Sequence, residues 1–164
     1  MARLVPFLAV ILAVAPTAIA QSKAIGRYND WRVYTEGEGR NMVCFAAVEA
    51  SDMAPKAADH GEVTFYVSAF KSGAATSQPS LRVGYTLRAD LAPAAIVGRD
   101  RFPMYAAGQE AFFPDDREKP LIEALKKGQE LRVEAASVKD ARTAYHFSLK
   151  GSRDAIDKAK ALCK

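Results

Sequence analysis

The stretch "QELRVEAASVKDARTAYHFSL", residues 129–149, decides the fold class. Leu131, Val133 and Ala135 alternate with charged or small neighbours, and Tyr145, Phe147 and Leu149 do the same further on. A repeat of two is the strand period, because successive side chains point to opposite faces. Two such runs joined by a short polar connection near 139–141 predict an antiparallel hairpin.

Downstream, the pattern changes. Gly151 breaks the strand, Ser152 is placed to cap a helix, and Ala155, Ile156, Ala159, Leu162 and Cys163 fall on one side at helical spacing. Acids lie early (Asp154, Asp157) and lysines late (Lys158, Lys160, Lys164), as the helix dipole favours. A helix over 152–163 is expected. Upstream, a second helix is expected over 118–127: Asp115 and Asp116 stand before it, Pro120 sits in its first turn and Gly128 ends it. Leu121, Ile122 and Leu125 form its apolar stripe, with Glu123 and Lys127 as an i,i+4 pair.

The rest reads as strands. Residues 30–34 and 41–50 predict a hairpin about the polar turn 36–40, with Met42, Cys44 and Ala46 on one face and Val43, Phe45 and Ala47 on the other. Residues 62–70 and 81–87 are further strands, rich in β-branched and aromatic residues. Short extended pieces are expected between 88 and 114, limited by Pro93, Pro103 and Pro114. Residues 21–30 read as a lead-in, 51–61 and 71–80 as loops. The expectation is a mainly β domain over 21–164, an antiparallel β-sandwich or flattened barrel with two short helices.

The first twenty residues differ in kind. Arg3 precedes an apolar run from Leu4 to Val14, and Ala18-Ile19-Ala20 supplies a small-x-small pattern. That is the layout of a cleaved signal peptide, 1–20, with an uncleaved anchor as the alternative. No later run is long enough to span a bilayer. The net charge of +4 is spread among alternating acids and bases, so nucleic acid is not an expected partner. After export, Cys44 and Cys163 meet an oxidising compartment, where a single disulfide is the default. Two free thiols, a redox pair or a metal site are the alternatives, although C-x-x-C is absent and the histidines are isolated.

"YNDWRVY" (28–34), "NMVCFAAV" (41–48) and the module from "PLIEALKKG" (120–128) to Cys163 together resemble the invasion-associated locus B family of small exported Gram-negative proteins. The family shares a tryptophan on an early strand and a finish of tyrosine-x-leucine-glycine, helix and cysteine. Here that finish is Phe147-Ser148-Leu149-Lys150-Gly151, the helix and Cys163. Where members often carry a cysteine soon after the tryptophan, this chain has Tyr34, which leaves Cys163 as the partner for Cys44. The resemblance implies a periplasmic or surface-associated protein, linked in some members to host-cell entry, without a settled biochemical activity or settled catalytic residues.

No residue pattern advertises chemistry. His146 is expected to be an exposed strand residue and His60 a solvated loop residue beside Asp59 and Glu62. There is no G-x-S-x-G elbow and no glycine-rich phosphate loop. Asp115 and Asp116 read as helix-start acids, Trp31 as a core anchor, and Phe112-Phe113 as core with one ring partly covered or offered to a partner. The expected function is non-enzymatic binding of a protein partner in the envelope or at a host surface, without cofactor or metal. Residues 71–80 and 88–114 are the candidate contact loops. The alternatives are a hydrolase of envelope material and a structural or stress-protective protein.

Overall fold

A computed structural model describes residues 21–139 and 141–164. The expected signal peptide, 1–20, lies outside the described residues. In chain order the strands are β1 (Lys23–Tyr28), β2 (Trp31–Glu36), β3 (Val43–Glu49), β4 (Asp52–Ala54), β5 (Thr64–Phe70) and β6 (Gln78–Arg82). Then come β7 (Ala94–Val97), β8 (Asp100–Pro103), β9 (Tyr105–Ala107), β10 (Glu110–Phe112), α1 (Asp115–Lys127), β11 (Glu130–Ala136), β12 (Arg142–Ser148) and α2 (Ser152–Leu162).

The strands form two antiparallel sheets. The large one runs β1-β2-β3-β5-β6-β10-β9 and the small one β4-β12-β11-β7-β8. Both keep free edges, so the fold is a sandwich and not a closed barrel. The opening hairpin is β11–β12, in register from Glu130↔Ser148 to Ala136↔Arg142. Its inward residues meet those of the large sheet. Phe65 lies 5.9 Å from Phe147 and 6.3 Å from Phe113, ring centre to ring centre. Trp31 is fully buried, and its indole N–H donates to the Ser148 carbonyl at 2.9 Å, pinning β2 to the end of β12.

Helix α2 lies over β2, β3 and β5. Ala155, Ile156 and Ala159 join the main core, so the inner face of the large sheet is shared between the small sheet and this helix. Cys163 follows α2 directly and is disulfide-bonded to Cys44 of β3, with Cα atoms 5.8 Å apart. The bridge, Ala69, Met42 and Leu162 make a small apolar cluster of their own.

Several expectations need correction. The lead-in 21–30 contains strand β1, paired to β2 through a two-residue turn in which Asn29 has φ 52°. Asparagine tolerates that left-handed backbone, and β1 is mostly exposed, so it lacks the apolar alternation that marks a strand. The loop 51–61 contains β4, which extends the small sheet at β12. The strand expected over 81–87 is displaced to 78–82. Gly84 abuts Gly61, where a Cβ would lie 2.6 Å from the Gly61 Cα, and Leu87 has already crossed to bridge Ser137. The short extended pieces expected between 88 and 114 are present as β7–β10, so that stretch is strand for much of its length and not the free contact loop expected of it.

The first helix begins at Asp115 instead of 118. Pro114 leads in, and Asp115, Asp116 and Glu118 complement the positive end of the dipole. The second helix starts at Ser152, which is not its cap. Gly151 takes that place with φ 91°, and a Cβ there would lie 2.0 Å from the Tyr28 carbonyl oxygen. The Ser152 hydroxyl instead donates to the Leu125 carbonyl at 2.7 Å, tying the two helices together.

Candidate functional site

Strand register sets the outer face of the large sheet. Thr64 stands between Glu49 of β3 and Arg82 of β6, and Arg82 in turn pairs with Glu110 of β10. One step along, Tyr66 lies between Ala47 and Ser80. On the next row Tyr34 faces Phe45. Tyr34 and Phe45 stack at 5.3 Å, and Phe45 meets Tyr66 edge-on at 5.9 Å. These rings and the small residues beside them form a shallow groove of about 770 Å³ reaching from β1 to β10.

The groove's polar groups are only partly satisfied. Thr64 is 5 % exposed, and its Oγ1 is buried with no hydrogen-bond partner of proper geometry. Burial lifts the Tyr66 phenol above its ordinary value; the nearby Thr64 hydroxyl and Arg82 pull it back, while Glu62 and Glu110 push it further up. At the sheet's edge Tyr105, 52 % exposed, packs against Phe112 at 5.9 Å.

The outer face of the small sheet is different. Arg101 donates to Glu134 at 2.9 Å, and Arg132 donates to the other Glu134 oxygen at 2.5 Å. The Arg101 hydrogen bond is the main force holding the Glu134 carboxyl below its usual range. His146 Nδ1 lies 2.9 Å from Glu130, and Lys56 pairs with Asp52. His146 is thus half-exposed on a strand, as expected, with a carboxylate beside it.

His60 is not the solvated loop residue expected. It is 6 % exposed, with Nε2 2.9 Å from the Pro55 carbonyl and Nδ1 3.1 Å from the Tyr145 hydroxyl. A carbonyl only accepts, so Nε2 carries the hydrogen and Tyr145 donates to Nδ1. Tyr85 then donates to Tyr145 at 2.7 Å, and Thr143 donates to Tyr85 at 2.7 Å. Burial is the chief cause raising the Tyr145 phenol above its ordinary value. His60 borders a hollow of about 370 Å³ with Asp52, Lys56 and Asp59 on its wall. Asp59 is occupied in accepting the Gly61 N–H at 3.1 Å. One histidine therefore has a hollow but no carboxylate bond, and the other has a carboxylate on an open sheet.

The structure places the other singled-out residues as follows. Trp31 and Phe113 are core; Phe112 is half-buried on the outer face. Asp115 and Asp116 lie in the first turn of α1. Among the described residues, no group of three or more His, Cys, Asp or Glu is placed to hold a metal ion. No helix there is long and apolar enough to cross a membrane. The groove itself was missed from the sequence. Its signal was Phe45 and Tyr66 at outward positions of otherwise inward-facing strands, but only the register brings them together.

Fold and face together define a two-sheet antiparallel sandwich, disulfide-anchored at its last helix, with one outer face paired and one left open. No protein-family profile matches the chain, and no curated protein matches it. Among solved structures it is similar to the crystal structure of invasion associated protein B from Bartonella henselae, with a TM-score of 0.56 at 14 % identity, covering 87 % of this chain and 98 % of that one. At that identity the likeness concerns the fold.

Proposed function

We propose that this is an exported, non-enzymatic binding protein of the cell envelope or cell surface, acting through the outer groove of the large sheet. The groove carries the reading: an aromatic ladder stands uncovered, above a buried hydroxyl without a well-formed hydrogen bond, on a face that a passive scaffold would fill with paired charge. The disulfide supports an oxidising compartment. The neighbour's name ties that protein to invasion, and carried to this chain it supports contact with a host surface as the setting.

Crosslinking the protein in its own envelope and recovering it tests the proposal. A single saturable partner, lost when Phe45 is replaced by serine in a protein of unchanged fold, is the expected result. No partner at good expression, or a partner indifferent to Phe45→Ser, would count against it. Intact mass of the exported protein, read with and without reductant, tests leader removal and the bridge together.

A further inference from the structure

Resting on that binding reading, we propose that the groove receives an extended polypeptide segment bearing lysine or arginine, seated over Tyr66 and Thr64. The first ground is charge. The chain as a whole is basic, at +4. The groove reverses that sign. Its bases are Arg27, Arg32 and Arg82. Its acids are Asp30, Glu36, Glu49, Glu62 and Glu110.

Some of these are already engaged. Arg32 faces Glu49 at 3.8 Å, Arg27 donates to the Asn29 carbonyl, and Asp30 accepts the Ser148 hydroxyl. That leaves Glu36, Glu62 and Glu110 against Arg82. Unpaired carboxylates beside exposed ring surface favour an ammonium or guanidinium, through ion pairing and cation–π contact. The same carboxylates repel a phosphate backbone.

The second ground is independent of charge. Thr64 Oγ1 is buried and unsatisfied, a state costly enough to be rare in native proteins. A polypeptide offers both a backbone donor and a backbone acceptor at each residue, so it can satisfy this hydroxyl in either sense. The third ground is length. The groove crosses six strands, about 24 Å at ~4.8 Å per strand, which some seven extended residues at ~3.3 Å each would fill.

Fluorescence anisotropy with a labelled eight-residue peptide of alternating lysine and serine tests this, against a glutamate–serine peptide of equal length and against spermine. The lysine peptide should bind at least tenfold more tightly than either. The pair E62Q/E110Q should weaken it about tenfold, and the pair E130Q/E134Q on the small sheet should leave it unchanged. Thr64→Val should weaken it several-fold without lowering the thermal midpoint. Equal binding of the glutamate peptide or of spermine would overturn the assignment. So would equal loss from the two glutamine pairs, an indifferent Thr64→Val, or sedimentation showing a dimer that E62Q/E110Q dissolves. The two readings fail separately. Envelope capture that still depends on Phe45, with no lysine-peptide binding, rejects this occupant alone. Lysine-peptide binding without envelope capture rejects the binding reading alone.

Discussion

The two sheets turn opposite kinds of face outward. On the small sheet, Arg101, Arg132 and Glu134 complete one another, and Glu130 meets His146. On the large sheet, Tyr34, Phe45 and Tyr66 line a groove whose nearby carboxylates mostly lack partners. Two buried threonines show the same difference in satisfaction from opposite sides. Thr143, 6 % exposed and on the inner face of β12 beside Tyr145, donates to Tyr85, whereas Thr64, 5 % exposed and on the outer face of β5, has no hydrogen bond of proper geometry. A face whose polar groups are mutually satisfied has little left to offer a ligand, whereas unmet valence is what recognition uses.

The largest effect expected on this contrast comes from behind the groove. Cys44 sits on the strand that carries Phe45, so Cys44→Ala with Cys163→Ala should cost about 2–4 kcal/mol. Hydrogen exchange should show the loss concentrated in β2, β3 and β5. Equal loss in β11 and β12 would break the contrast. Next is Tyr145→Phe, which deprives His60 and Tyr85 of their shared partner. We expect about 1–3 kcal/mol in chemical denaturation.

The threonines compare a satisfied hydroxyl inside the small sheet with an unsatisfied one under the groove. Thr143→Val should destabilise by about 1 kcal/mol, while Thr64→Val should be neutral or stabilising, since it removes a polar atom that has no partner. The same sign for both would erase the distinction. The smallest effect is Glu134→Gln, within about 1 kcal/mol because the site is exposed. Its carboxyl is held low in the folded state, chiefly by Arg101, and lies near 4.3 when unfolded. The contribution is therefore present above about pH 4.3 and fades as pH falls through the folded value. Urea midpoints of the two proteins should differ at neutral pH and draw together as the pH falls below the ordinary glutamate range.

The sandwich was legible because burial is one-sided. Leu131, Val133, Tyr145 and Phe147 alternate cleanly, and their inward faces are the core. Strand β1 was not legible because its residues are mostly exposed at a sheet edge. His60 misled for a different reason. Its loop is polar in composition, yet the Gly61–Gly84 approach folds that loop against the sheet and buries the ring. The groove depends on residues from six strands between β1 and β10, and no local pattern encodes their register.

The bridge also has a mechanical meaning. Everything from Cys44 to Cys163 lies inside one covalent ring, while β1 and β2, with Trp31 and Tyr34, hang outside it. Tension applied between Gln21 and Lys164 can therefore pay out only the short N-terminal arm, roughly 80 Å at ~3.5 Å per residue, before it bears on sulfur. A single proteolytic cut within the ring releases no fragment until a reductant is added, whereas a single cut between β2 and Cys44 frees the β1–β2 flank of the groove from any covalent hold while the sulfurs stay joined.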